Sequence, residues 1–535
     1  MVKKIINLIL ITVILLIIVS CANRGTPSGG DIDETAPSII KSTPENYTLN
    51  FKTKEIRVYF DEYIKFKDLQ KYLIISPPID PIPEITPLGT ASKFLEIKFQ
   101  DSLQSNSTYV FNFGESIVDN NAGNVYSNYK YILSTGKYID SLKISGTLKD
   151  ALERLSPEDI SVMLYEIDST TTDSIIYKSK PKYITKVIDS TGIFSLENLK
   201  NGKYLLIALK EENKDYIYQN ENDKIAFYKD IISLPKDTGS YNLKLFKENL
   251  DFKFSRPKQS SKNSISFGFD GELEDYKINL ISTVEESFSS KIIMNEAKDT
   301  LYYWHNSTKK LDSLLFKVTN NNFIDTLSVK LRNQEIDSLK IKALQNNYIS
   351  FLDNILFQAN TPFNKIDKTK ISITNNDSLE VEFKVSLDTF KNTYVFQFNK
   401  QEEESYNVKF LPGTFTDFYN FSNDTLSYTY KTKTYDDYGN LRLILRNVEY
   451  PAIVQLTTKL GEVKYEKTVT SNGNIDFKHI VPSKYYVRVI LDRNKNNKFD
   501  SGNYLLKSFP ETVSHLDEEL DIRAGWDLVQ EFILK

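Results

Sequence analysis

The chain has 535 residues, a length that divides into three to five domains of ordinary size, and its 33 Tyr and 32 Phe favour pleated sheet. Basic and acidic residues nearly balance, 67 against 71, with none of the basic striping that nucleic-acid phosphates require, so a nucleic-acid partner is excluded. The single cysteine, Cys21, excludes disulfides and Cys-based metal or redox sites, and the three histidines, His305, His479 and His515, are too scattered for a metal-ligand spacing.

At the N-terminus, Lys3 and Lys4 precede an apolar run from Ile5 to Val19, then Ser20 and Cys21. A charged start, an apolar stretch and a small residue before the break read as a secretory signal over residues 1–20. Ile18-Val19-Ser20-Cys21 resembles the bacterial lipobox. The resemblance implies that Cys21 becomes the first mature residue and carries lipid, palmitate included, which holds the chain to a membrane. Residues 21–36, rich in Gly, Pro and Ser, read as a flexible tether.

From about residue 40 onward short alternating runs recur between turn-forming residues. They include Ile56-Arg57-Val58-Tyr59-Phe60, Tyr109-Val110-Phe111-Asn112-Phe113, Val381-Glu382-Phe383-Lys384-Val385, Leu441-Arg442-Leu443-Ile444-Leu445 and Tyr485-Tyr486-Val487-Arg488-Val489. Period-two alternation with turn chemistry between runs predicts an all-β chain of sandwiches. Short helical turns are expected only near residues 67–72 and 151–155.

The chain also repeats itself. Gly192, Leu196, Leu199 and Tyr204 align without gaps with Gly473, Phe477, Ile480 and Tyr485, 281 residues later. A second pair aligns Tyr109, Asp119 and Asn124 with Tyr406, Asp417 and Asn423. The modules therefore run A-B, a middle stretch, then A-B again.

Two resemblances follow. Ala36-Pro37-Ser38, Ser42-Thr43-Pro44 and the Phe60-Asp61-Glu62 strand end, with the Tyr109 strand and the Asp119 loop, resemble the SbsA-type bacterial Ig-like domain. The second A copy lacks the Phe-Asp-Glu element. The Gly-x-Phe-x-Leu strand at Gly192, with Leu199-x-x-Gly202-x-Tyr204 after it, resembles the transthyretin-like, carboxypeptidase-regulatory sandwich; in the second copy Ser483 replaces the glycine. The expected order is an Ig-like domain at 37–138, a transthyretin-like sandwich at 139–248, an Ig-like sandwich at 249–345 with Trp304 in its core, a divergent Ig-like domain at 346–436 and a second transthyretin-like sandwich at 437–535. As a whole the chain resembles Bacteroidota-type lipoproteins, which implies an outer-membrane location, facing either side, and a non-enzymatic role.

One loop points to chemistry. Asp492, Asn494, Asn496 and Asp500 place oxygens at positions 1, 3, 5 and 9, with Asn503 at position 12, a spacing that suits a structural calcium ion. Asn497 stands where the EF-hand needs glycine, and a solvated turn accounts for the same residues. The first copy has Glu211, Asn213, Asp215 and Gln219 in the equivalent loop. Asp61 and Glu62, adjacent on a strand, point to opposite faces and cannot work on one atom. No catalytic motif is found and no cofactor is expected. The run Tyr302-Tyr303-Trp304 is a candidate for stacking on sugars. The expected role is a lipid-anchored spacer and interaction surface for envelope proteins or glycans; a carbohydrate-capture lipoprotein and a hydrolase are the alternatives.

Overall fold

A computed structural model describes residues 33–307, 312–334 and 338–534; the signal, Cys21 and nearly all of the tether lie outside them. The described chain is nearly all β, with 48% strand and 3% helix.

The first sandwich is formed by β1 (Ile39–Thr43), β2 (Glu55–Phe66), β3 (Ile74–Ser76), β4 (Glu84–Thr86), β5 (Ser92–Lys98), β6 (Thr108–Asn112), β7 (Ile117–Asp119), β8 (Val125–Tyr126) and β9 (Lys130–Ser134). One sheet runs β1-β2-β5-β4, with β7 also on β2 and β8 on β7, and the other β3-β6-β9; β1-β2-β5-β4 over β3-β6-β9 is the A-B-E-D over C-F-G arrangement of an immunoglobulin domain. Alternation on β2 turns Ile56, Val58 and Phe60 inward against Tyr109, Phe111, Tyr131 and Leu133 of the facing sheet. A one-turn helix, Leu69–Tyr72, leads into β3.

The second sandwich contains β10 (Leu142–Asp150), β11 (Ile160–Glu166), β12 (Tyr183–Val187), β13 (Ile193–Leu199), β14 (Gly202–Lys210), β15 (Lys224–Phe227), β16 (Ile232–Leu234) and β17 (Ser240–Leu245). Its sheets are β13-β10-β17, with β10 and β17 parallel, and β12-β11-β14-β15, with β16 also on β14. Residues 151–155 are not helical: the Asp150 carboxylate accepts from the N–H groups of Leu152 and Glu153, which turns the chain instead.

The third comprises β18 (Lys253–Phe254), β19 (Lys258–Ser261), β20 (Ser264–Asp270), β21 (Lys277–Leu280), β22 (Ser290–Met294), β23 (Thr300–His305), β24 (Ser313–Asn320) and β25 (Phe323–Lys330). Orders β19-β20-β23-β22 and β21-β24-β25 reproduce the A-B-E-D and C-F-G sheets. Trp304, expected in the core of this sandwich, faces away from it instead: it is 7% exposed because Tyr419 of the fourth sandwich lies against it at 6.4 Å.

The fourth has β26 (Ile341–Ala343), β27 (Ile355–Ala359), β28 (Phe363–Ile366), β29 (Ile371–Thr374), β30 (Lys384–Asp388), β31 (Thr393–Gln397), β32 (Ser405–Phe410), β33 (Phe415–Asp417) and β34 (Leu426–Lys431). Sheets β26-β27-β31-β30 and β29-β32-β34 repeat the same arrangement. The strand expected from Val381 starts at Lys384, because Val381 N–H still bonds Ile373 of β29 while the chain crosses between sheets.

The fifth repeats the second strand for strand: β35 (Gly439–Arg446), β36 (Ala452–Thr457), β37 (Val463–Val469), β38 (Asn474–Ile480), β39 (Ser483–Leu491), β40 (Val513–His515), β41 (Leu520–Ile522) and β42 (Asp527–Ile533). Its sheets are β38-β35-β42, again with a parallel outer pair, and β37-β36-β39-β40 with β41 on β39.

Candidate functional site

Asp492 directly follows β39 and is 1% exposed. Its Oδ1 accepts from Asn496 N–H at 3.0 Å and its Oδ2 from Asn497 N–H at 2.9 Å. Lys495 and Asn497, both at positive φ, make that tight return. The side-chain amides of Asn494 and Asn496 donate to Asp500 Oδ2 at 2.6 and 2.8 Å. Four of the five expected residues therefore share one network. Asn503 does not join it: its Oδ1 accepts from Leu506 N–H at 2.9 Å, farther along the hairpin.

Spacing missed Glu511, which lies just before β40. Its two oxygens accept from the N–H groups of Arg493 at 2.9 Å and Asp500 at 3.2 Å. Burial, and the charges of Asp500 and Asp492, push its carboxyl above the usual range. In the second sandwich the same two places hold Glu211, directly after β14, and Asp223, before β15. Glu211 accepts from Tyr216 N–H at 2.5 Å, and burial pushes its carboxyl up to about 7. Asp223, 2% exposed, accepts from the N–H groups of Glu212 and Gln219. The loop oxygens thus face the chain's own N–H and amide donors. Among the described residues no group of three His, Cys, Asp or Glu is placed to hold a metal ion.

Asp61 accepts from both the N–H and hydroxyl of Ser38, which ties β2 to the entering chain and holds its carboxyl low. Two further carboxylates act as turn centres. Asp119, fully buried, accepts from the N–H groups of Asn121, Ala122 and Asn124. Asp417, its aligned partner, accepts from Tyr419, Phe421 and the Thr361 hydroxyl. Beside them are two tyrosine corners. Tyr109 oxygen accepts from Gln104 N–H at 3.0 Å and Tyr406 oxygen from Gln401 N–H at 2.7 Å, each five residues upstream on the approach to strand F.

The second and fifth sandwiches are joined by residues that no motif announced. Tyr504 is fully buried, yet it lies outside the hydrophobic core of its own sandwich. Its ring packs edge-on to Phe227 at 5.5 Å, its hydroxyl donates to Asp173 O at 3.1 Å, and its N–H donates to Glu248. Lys507 covers the ring from 3.8 Å and stands 3.1 Å from the Asp173 carboxylate. Phe509 stacks on Phe227 at 4.9 Å. In the opposite direction Arg488, on β39, donates to Gln455 and to Leu152 O, and lies 3.7 Å from Glu153. Arg154 covers the ring of Tyr486 at 4.5 Å.

A bacterial Ig-like domain family matches residues 33–135. The S-layer protein SbsC, domains 5–6, is similar at 11% identity over 34% of this chain and 99% of that one, TM-score 0.16. A tandem from titin is similar at 10% identity over 53% of this chain and 100% of that one, TM-score 0.13. The N-terminal eight Ig domains of Down Syndrome Cell Adhesion Molecule give 8% identity over 94% and 61%, TM-score 0.15. No curated protein matches the chain.

Proposed function

We propose that the protein is a non-enzymatic, lipid-anchored component of a bacterial envelope whose sandwiches hold an interaction surface for proteins or glycans away from the membrane. The observation that carries the reading is the brace between the second and fifth sandwiches, 281 residues apart in the repeat. Tyr504, Lys507 and Arg488 close the second through fifth sandwiches into one cross-linked body. Such bracing suits a spacer, which must hold its shape under load, better than a string of independent modules. The lipobox-like run ending at Cys21 supports the anchor, and the Ig-like family match supports an envelope setting. The test is metabolic palmitate labelling with detergent phase partition of the full chain and of Cys21→Ser. The expected result is label and detergent partition for the parent and neither for the variant; a parent that takes no label overturns the anchor. Protease shaving of intact cells, followed by detection of the fifth sandwich, then decides which way the spacer faces.

A further inference from the structure

Between the third and fourth sandwiches, both within one compact unit, lies a cleft of about 300 Å³. This is the lower end of the range for ligand clefts, about 300–1,000 Å³. Strand alternation on β23 decides what it presents. Tyr303 turns into the core at 2% exposure, while Tyr302 and Trp304, on the opposite face, both line the cleft. Ser264 pairs with Trp304 across the sheet and lines the same wall, and its hydroxyl is buried with no hydrogen-bond partner. From the fourth sandwich come Gln358, whose amide N–H donates to Lys391 O at 3.4 Å and leaves its carbonyl open, and Lys391, whose ammonium stands 4.0 Å from Asp388.

The walls are fixed before any ligand arrives. Met294 N–H donates to Phe390 O at 2.7 Å, Lys291 ammonium to Phe363 O at 2.6 Å and Tyr419 hydroxyl to His305 O at 3.1 Å, each bond crossing from one sandwich to the other. A preformed cleft spares a ligand the cost of ordering it.

We propose that this cleft binds a neutral saccharide. No carboxylate lines it, which removes cations and metal ions as the favoured ligand class. Its one ammonium already faces Asp388, which weighs against an anion. What remains is the half-buried Tyr302 and the 7%-exposed Trp304 beside a buried, unpartnered hydroxyl and the amide carbonyl of Gln358. That combination matches a sugar ring, apolar on its C–H faces and hydroxylated at its rim. A ligand hydroxyl at this wall would pair the Ser264 hydroxyl, which is otherwise buried without a partner. The proposal deepens the interaction-surface reading by giving it a place and a ligand class, and its failure would leave the anchor and spacer standing.

The experiment uses tryptophan emission, because the chain has two tryptophans, Trp304 and Trp526, and Trp526 is exposed on the fifth sandwich. In a Trp526→Phe background Trp304 becomes the sole reporter. The chain is titrated with neutral hexasaccharides of glucose, mannose and xylose, in α and β linkage, and with an uncharged peptide of similar length. The expected result is a saturable shift of Trp304 emission by at least one saccharide, weakened by about tenfold or more in Tyr302→Ala and in Gln358→Ala, with unchanged melting temperature. An emission unmoved by every saccharide, a saccharide response that Tyr302→Ala and Gln358→Ala leave unchanged, or a response to the peptide alone would each overturn it.

Discussion

Replacing Tyr504 by alanine removes a fully buried ring whose contacts across the joint, the Phe227 ring and Asp173 O, belong to the second sandwich, while its N–H bond to Glu248 is kept. Truncating a buried aromatic side chain costs about 3–5 kcal/mol, and the hydroxyl bond to Asp173 is about 1 kcal/mol of that. Since the ring is absent from the core of the fifth sandwich, the loss falls on the joint, and the fifth sandwich keeps its own packing. Tyr504→Ala is therefore expected to convert joint unfolding of the second and fifth sandwiches into two separate transitions in calorimetry. The melting temperature of the isolated fifth-sandwich transition should be unchanged by the substitution. Small-angle scattering at ambient temperature should show an increased radius of gyration. Tyr504→Phe, which keeps the ring, should cost about 1 kcal/mol and leave the transitions joined. The reasoning is refuted if Tyr504→Ala melts in one transition within about 1 kcal/mol of the parent, or if it unfolds the fifth sandwich alone.

Four further outcomes follow from local chemistry. Glu211 has a folded pKa of about 7, above its unfolded value near 4.5, so the stability it permits is present below about 4.5 and is lost as pH rises through 7; Glu211→Gln should stabilise by up to about 3 kcal/mol at pH 8 and by nothing at pH 4, read by urea denaturation. His515 is depressed to about 4, chiefly by burial and then by Arg488 and Arg154, so the unfolded chain binds the extra proton and stability falls as pH drops from about 6.5 to 4; His515→Gln should flatten that limb by up to about 3 kcal/mol in the same assay. Gly192 sits at φ +69°, where a Cβ would meet Leu148 O at 2.3 Å, whereas Gly473 has open space and ordinary φ, so Gly192→Ala should cost about 1–3 kcal/mol and Gly473→Ala well under about 1 in thermal melts. Because the oxygens of Asp492 and Asp500 already accept from the loop's own donors, calcium at about 1 mM should move the melting temperature by less than about 1 °C; a larger rise, reversed by chelator and absent in Asp492→Asn, would show that the loop binds calcium.

Legibility in the sequence followed the range of the interaction. Side-chain alternation acts within a strand, so the β2, β6, β35 and β39 runs could be read directly. The aligned pairs Leu196 and Phe477, Leu199 and Ile480, and Tyr204 and Tyr485 are all buried, at matching positions of β13 and β38 or β14 and β39. The paired glycines were a false equivalence: only Gly192 needs a positive φ. The third sandwich was expected as Ig-like without the marks of either repeat, and its strand order is that of the first and fourth. Leu314 stands near the start of β24, where Tyr109 and Tyr406 place their corner hydroxyls, so the residue that marks the fold elsewhere is missing.

What was illegible depends on a partner surface. Arg488 and Gln455 occupy outward positions on β39 and β36 and read as solvated polar residues, yet they are 5% and 7% exposed. An outward face has the same alternation whether water or another sandwich covers it. The burial of Tyr504 was hidden for the same reason, because a loop aromatic carries no period and its pocket is built from residues 173–248. The second and fifth sandwiches share one topology but contribute different faces to their joint: the fifth inserts its 500–509 hairpin, and the second offers its 150–154 turn. Repetition therefore fixed each module, while divergence between the copies made the joint. The copy-specific residues Tyr504, Lys507, Arg488 and Glu153 are accordingly where the assembly of this chain is specified, and the shared core residues say nothing about it.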